Sequence, residues 1–258
     1  LKIISLGAGV QSSAMLLMAL EGRFGDKPDC AIFADAQWEP KAVYEWLRRL
    51  EAEVSPFPIY RVTNGNIREK ARYDTSGTRF IVIPTFVKNE SGGTGMSPRQ
   101  CTKEFKIIPI QRKVRQLVGP KGRAQSWIGI STDEAMRMKP SHLKWLVNRW
   151  PLIEANLSRY DCEQYLLKRM GDVAPKSSCI GCPFHGDDHW QRMKSQEPAE
   201  FADACEFDKQ IRTFPNMRGE KFLHRSCRPL DQIEFLHEKQ GRMFRDAFGN
   251  ECEGLCGV

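Results

Sequence analysis

Ser5-Leu6-Gly7-Ala8-Gly9-Val10-Gln11-Ser12-Ser13 decides the fold, set between the apolar Lys2-Ile3-Ile4 and the helix-forming Ala14-Met15-Leu16-Leu17-Met18-Ala19-Leu20. The order is strand, tight glycine loop, helix. Gly7, Ala8 and Gly9 carry little or no side chain, so backbone N–H groups there can approach an anion closely, and the positive end of the helix dipole adds to the attraction. Ser12 and Ser13 can donate further hydrogen bonds to that anion. The ligand class this implies is a phosphate, carried by a nucleotide. The competing reading is a glycine-rich strand-to-helix turn that binds nothing. No Gly-Lys-Ser/Thr follows, which excludes the Walker form, and the glycine spacing excludes the dinucleotide fingerprint.

The segments beyond this loop extend the pattern. Cys30-Ala31-Ile32-Phe33-Ala34-Asp35 predicts a buried strand. Residues 40–54 have helical periodicity, with Val43, Trp46, Leu47 and Leu50 on one face. Ile59 to Val62 is a third strand, ended by Asn64-Gly65. Phe80 to Ile83 is short and apolar. Lys103 to Leu117 is a basic helix in which Pro109 marks a bend or break. Gln125 to Ile130 is another strand. Strands alternating with helices predict a doubly wound, mostly parallel α/β sheet in three layers. In such sheets ligands sit beyond the strand carboxyl ends, where the glycine loop, Asp35 and the Gly129-Ile130-Ser131 turn all fall. Residues 1–150 form the expected nucleotide-binding domain. Residues 151–258 form a mainly helical, cysteine-rich C-terminal region. Asn89 to Gly95 is either a loop over the site or a plain surface loop.

Composition narrows the class. The 258 residues are 41% hydrophobic and 28% charged, an ordinary globular balance. No apolar run is long enough to span a bilayer, and no signal peptide is visible, so a cytoplasmic location is expected. A net charge of +7 favours polyanionic partners. Nine cysteines, odd in number and unevenly spaced, argue against a closed disulfide framework and for metal or thiol chemistry. Cys179-Ile180-Gly181-Cys182 is the focus, because two intervening residues let both thiolates face one metal centre. Zinc, iron–sulfur, a redox pair and coincidence all remain open from this motif alone. Cys30, Cys162 and Cys205 fall on apparent strands or helices and are expected to be structural. His185 and His189 lie close to the motif in supporting or surface roles.

Several of these motifs resemble one superfamily. Gly7-Ala8-Gly9-Val10-Gln11-Ser12 resembles the PP-loop of the adenine-nucleotide α-hydrolase superfamily, Ser-Gly-Gly-x-Asp-Ser, with Gly7 for the first serine and Gln11 for the aspartate. Cys101 to Ile110 resembles the Cys-Cys-x-x-Arg-Lys-Val-x-Pro-Leu segment of the iron–sulfur phosphoadenylylsulfate reductases. Trp127 to Glu134 with Arg137 is similar to their Gly-Ile-Arg-x-x-x-Ser-x-x-Arg stretch. Pro151-Leu152-Ile153, Asp161 and Tyr165-Leu166 follow in the same order, and Cys179 and Cys182 stand where the family's second cysteine pair stands. The resemblance covers most of residues 1–185.

It implies an adenine nucleotide, ATP or an adenylyl sulfonucleotide with Mg2+, held by Gly7, Ala8, Gly9, Gln11, Ser12, Ser13, Asp35, Gly129, Ser131 and Arg137. It implies a [4Fe–4S] cluster on Cys101, Cys179 and Cys182, with Cys256, Cys252 or Cys227 as fourth ligand or that position open. It also implies Lys106 pointing into the site and Cys252 or Cys256 as reactive thiols. Thr102 replaces one cysteine of the family's pair. The tail Glu251-Cys252-Glu253-Gly254-Leu255-Cys256 departs from the reductases' Glu-Cys-Gly-Leu-His. These departures favour the superfamily's DNA phosphorothioation and tRNA thiolation enzymes, in which ATP adenylates a nucleic acid for sulfur insertion. A cysteine desulfurase or another sulfur or electron donor is then an expected partner. A sulfite-forming reductase and a non-catalytic, cluster-bearing nucleic-acid-binding subunit are the alternatives.

Overall fold

The computed structural model describes residues 1–73, 82–213 and 218–235. In chain order the elements are β1 (Lys2–Leu6), α1 (Val10–Leu20), β2 (Cys30–Asp35), α2 (Lys41–Glu53), β3 (Ile59–Thr63), α3 (Ile67–Tyr73), β4 (Phe86–Lys88) and β5 (Thr94–Met96). A π-helical turn (Thr102–Ile107), α4 (Ile108–Val118), β6 (Ala124–Ile128), a 3-10 turn (Thr132–Arg137) and β7 (Leu146–Arg149) follow. The last elements are α5 (Pro151–Glu154), α6 (Arg159–Met170), α7 (Asp187–Gln196), α8 (Pro198–Gln210) and β8 (Glu220–Phe222).

Two compact units divide these elements. One comprises Leu1–Asn64 and Thr102–Ser177, and the other comprises Gly65–Cys101 and the described part of Ser178–Asn250. The expected boundary at residue 150 does not coincide with this division. α5 and α6 belong to the first unit, and residues 65–101 leave it for the second.

The first unit is built on a five-stranded sheet in the order β3-β2-β1-β6-β7, with every neighbouring pair parallel. Side-chain alternation along the strands sorts the core. Ile4, Leu6, Ala31, Phe33 and Trp127 face α1, α2 and α6 in one apolar cluster. Ile3, Cys30, Ile32, Ala34 and Leu146 face Ile110 and Val114 of α4 on the other side. Both faces are covered, which is why these strands are continuous apolar runs rather than alternating ones. Val43, Trp46, Leu47 and Leu50 are the buried residues of α2, the face its spacing predicts. Pro109 lies in the first turn of α4, where its missing N–H costs nothing. The expected basic helix is thus a π-helical turn followed by an α-helix.

The second unit holds a three-stranded antiparallel sheet, β5-β4-β8, together with α3, α7 and α8. The Asn89–Gly95 stretch is the turn and the start of the returning strand in the β4–β5 hairpin, where Asn89 N donates to Gly93 O at 2.8 Å. Asp208 on α8 organises this unit. Its carboxylate accepts from Leu223 N at 2.7 Å and Leu230 N at 3.3 Å and pairs with Arg212. Among the described residues no helix is long and apolar enough to cross a membrane.

Candidate nucleotide site at the sheet's switch point

From β1 the chain moves outward through β2 to β3, then returns to the other side of β1 as β6 and β7. The strand order therefore reverses between β1 and β6. Loops leaving adjacent strands at such a reversal diverge to opposite faces, and the crevice between their carboxyl ends is where open α/β sheets bind ligands. Here the two loops are Gly7–Gly9 after β1 and Gly129–Ser131 after β6.

The first loop is built for close approach. Ala8 takes φ of +57°, a left-handed conformation that costs a residue with a Cβ on the order of 1 kcal/mol. Gly9 is the N-cap of α1 and supplies no capping side chain, and no acidic residue stands in the first turn. The first intrahelical bond there is Ser13 N to Gly9 O at 3.0 Å, so the N–H groups of Val10, Gln11 and Ser12 precede any intrahelical acceptor. Ser12 clamps the loop: its Oγ accepts from Gly7 N at 3.2 Å and donates to Gly9 O at 3.4 Å. Ser177 Oγ donates to Gly7 O. Trp46 Nε1 donates to Ser13 Oγ at 2.9 Å, which fixes the start of α1 against α2.

Gln11 joins the two loops. It is fully buried, its Nε2 donates to Ser131 Oγ at 3.3 Å, and its Oε1 accepts from Arg159 Nη1 at 3.4 Å. Arg159 opens α6, pairs with Glu163 at 2.9 Å, and donates its backbone N–H to Asp133 Oδ1 at 2.8 Å. Ser131 is the N-cap of the 3-10 turn, and Gly129 beside it is buried. Arg137, at the end of that turn, is held in an ion pair with Glu134.

At the carboxyl end of β2, Asp35 accepts from Gln37 N at 2.7 Å and Tyr44 OH at 2.8 Å through Oδ1. The helix that follows is capped at Pro40, so Asp35 fixes the turn without serving as N-cap. Burial, and then the Asp35 carboxylate it donates to, push the Tyr44 phenol well above its ordinary range. Lys106 Nζ lies 3.2 Å from Glu39 Oε1, with side chains only 6% and 1% exposed. Asn64 Nδ2 donates to Glu104 O at 3.0 Å, so the π-helical turn is tied to the ends of both β2 and β3.

In the second unit, Cys179 and Cys182 share a turn closed by Cys182 N to Cys179 O at 3.0 Å. His185 Nε2 lies 3.0 Å from Cys179 O, and its ring stacks on His189 at 3.8 Å. The thiols suit a soft metal by chemistry. Yet no three His, Cys, Asp or Glu side chains converge to hold a metal ion among the described residues. Cys101, expected to join Cys179 and Cys182 as a ligand, lies in the same unit. Cys252 and Cys256, expected as reactive thiols or ligands, lie outside the described residues. Cys30 and Cys205 are buried, and burial pushes each thiol up to about 11, far from the reactive thiolate.

Arg159, Glu39, Tyr44 and Ser177 were not singled out by the sequence. Glu39, Ser177 and Arg159 meet Lys106, Gly7 and Gln11 far away along the chain, and none of the four stands in a glycine or cysteine motif.

No family model matches the chain, and no curated protein matches it. Among solved structures, it is similar to a phosphoadenylyl-sulfate (PAPS) reductase from Candida auris in a phosphate complex. The two are 15% identical, with 68% of this chain and 74% of that chain covered and a TM-score of 0.44. At that identity and score the likeness carries no functional argument.

Proposed function

We propose that the crevice between the Gly7–Gly9 and Gly129–Ser131 loops binds ATP, and that the protein adenylates an oxygen of a nucleic acid as the first step of sulfur insertion. The observation that carries the nucleotide is the uncapped, acid-free N-terminus of α1 at the point where the strand order reverses. The acceptor and the sulfur step rest on the motif resemblance and on the +7 charge.

In this reading the acceptor oxygen attacks the α-phosphorus of ATP. A new P–O bond forms, the α–β bridge breaks, and pyrophosphate leaves on the Gly7–Ser13 loop. The backbone N–H groups of that loop and the helix dipole stabilise the charge that develops on the leaving group. Lys106, fixed by Glu39 at the carboxyl edge of β2, adds an ammonium at that edge. Gln11 and Ser131 hold the two loops at one spacing, so the phosphates meet a preorganised cradle. Hydrosulfide, supplied by a donor enzyme, then displaces AMP: the bond from sulfur to the acceptor forms as the bond to the adenylated oxygen breaks, and that oxygen leaves on AMP. The cysteine turn suits an iron–sulfur cluster by donor type alone.

Calorimetry with ATP, AMP and the adenylyl sulfonucleotides tests the nucleotide. Transfer of label from α-phosphate-labelled ATP to tRNA or DNA, with pyrophosphate released, tests the reaction. Failure of every nucleotide to bind removes the reading. Formation of sulfite from a sulfonucleotide replaces adenylation with the reductase reaction.

A further inference from the structure

A second cavity lies in the first unit, on the face of the sheet covered by α4. Its volume is about 120 Å3, and its polar lining is Lys103, Gln111, Lys139, Ser141, His142 and Asn148. Ligand pockets for whole small molecules run to about 300 Å3 and more. This one accepts a group the size of a phosphate with its waters and excludes a nucleoside.

The lining is one-signed. Two lysines and a histidine contribute, and no carboxylate lines it among the described residues. Lys103 and His142 are exposed and enter no ion pair among the described residues. The wall opposite α4 is held in shape by its own hydrogen bonds: Asn148 Nδ2 donates to Lys139 O at 2.9 Å, and Leu143 N donates to Ser141 Oγ at 3.1 Å. Ile107 closes the inner wall and packs against Ile128 and Ile130. Those two residues flank Gly129, so the cavity stands one side chain behind the β6 loop of the nucleotide site. Met136, three residues before Lys139 in the chain, is 90% exposed.

The geometry points to this cavity as the seat of a backbone phosphate of a single-stranded nucleic acid, which positions the acceptor strand beside the nucleotide crevice. This deepens the proposed function and rests on its nucleic-acid acceptor. Lys103 and Lys139 supply the charge, and Gln111 and Ser141 the directed hydrogen bonds.

The test is fluorescence anisotropy of the full chain with labelled 15-nucleotide single-stranded RNA and DNA, over a range of salt. The Lys103→Gln/Lys139→Gln variant changes two exposed side chains and is expected to fold, which circular dichroism checks. Its affinity is expected to fall about tenfold or more at low salt. The slope of log affinity against log salt is expected to become shallower by about 1.4, the value for two lost contacts on a single strand. Lys168→Gln, on the exposed side of α6, is expected to leave both unchanged. An unchanged affinity and slope in the double variant overturns the site. So does oligonucleotide binding that matches wild type in the double variant while inorganic phosphate binding is lost, since the cavity then serves only free phosphate. ATP calorimetry on the same variant separates this inference from the nucleotide reading, because ATP binding is expected to persist there. Loss of oligonucleotide binding with ATP binding intact supports the site. Wild-type protein that binds the oligonucleotide but no nucleotide refutes the proposed function while leaving this site standing.

Discussion

The buried pair between Lys106 and Glu39 offers the sharpest test of how the carboxyl edge of the sheet is built. The two groups are 3.2 Å apart with side chains 6% and 1% exposed, so neither charge is screened by bulk water. Replacing Lys106 by Met removes the ammonium and leaves the Glu39 carboxylate buried without its cation. Breaking a buried pair on one side in this way costs about 3–5 kcal/mol. In a protein of this size each kcal/mol lowers Tm by about 2–4 °C, so the expected shift is about 6–20 °C. Replacing both members leaves no stranded charge. The Lys106→Met/Glu39→Gln double variant is therefore expected to lose less than the sum of the single variants, with a coupling of about 1–3 kcal/mol. Urea unfolding of the four proteins, read by tryptophan fluorescence, measures the cycle. A Lys106→Met loss below about 1 kcal/mol with additive single effects would refute the claim that this pair pins the π-helical turn. An ammonium that is dispensable for stability yet required for ATP binding would instead make Lys106 a phosphate ligand alone.

Three further outcomes are expected. Ser12→Ala removes the acceptor for Gly7 N and the donor to Gly9 O, and is expected to weaken ATP binding in calorimetry by loosening the loop, by about 0.5–1.5 kcal/mol, the range for a neutral hydrogen bond. Gln11→Glu places a carboxylate beside Ser131 and Arg159, and is expected to weaken binding of ATP more than of adenosine, since only the phosphates meet the added charge. The third concerns Asp187, which sits 3.0 Å from His224 Nε2 and 3.1 Å from Arg225 Nη2. Burial pulls its pKa upward, but the His224 hydrogen bond and the Arg225 charge outweigh it and leave the pKa lowered. The stability this lends is present above the ordinary aspartate value of about 4 and is lost as pH falls through the lower folded value. Urea midpoints between pH 6 and pH 2.5 are expected to fall on the acid side, and Asp187→Asn is expected to flatten part of that fall. An identical profile in the variant counts against the pairing.

The parts of the fold visible in the sequence are those with a long, regular pattern. Val43, Trp46, Leu47 and Leu50 recur at helical spacing over about two turns, and Cys30 to Ala34 is an unbroken buried run, so the sequence pattern found both. The glycine loop was visible because its chemistry is local: small residues, two serines, a strand before and a helix after. β4, β5 and β8 were not, because three residues are too few for alternation to register. The interleaving of the two units was hidden as well, since Asn64-Gly65 and the glycine- and serine-rich stretch from Ser91 to Pro98 read equally well as turns within one unit. The site's connections were hidden for a different reason. Lys106 and Glu39 are 67 residues apart, and Gln11 is 120 residues from Ser131 and 148 from Arg159. Such pairs exist only once the parallel sheet has brought distant strand ends to one edge, and no local window contains them.

Gln11 shows what that long-range assembly changes in the chemistry. Where the PP-loop pattern has an aspartate, this chain has an amide, and an amide both donates and accepts whereas a carboxylate only accepts. Gln11 uses both capacities, donating to Ser131 and accepting from Arg159. Aspartate, one methylene shorter, does not reach both from the same backbone position. The exchange also alters the field. A carboxylate at position 11 would place a negative charge at the start of α1, beside the phosphates, and would neutralise Arg159. With glutamine there, the first turn of α1 carries no acidic residue, and Arg159 pairs with Glu163. Under the proposed reaction, the loop is thus better suited to holding a departing pyrophosphate and worse suited to accepting a proton. Asp35, held by Gln37 and Tyr44, and Glu39, paired with Lys106, are carboxylates at the neighbouring strand end.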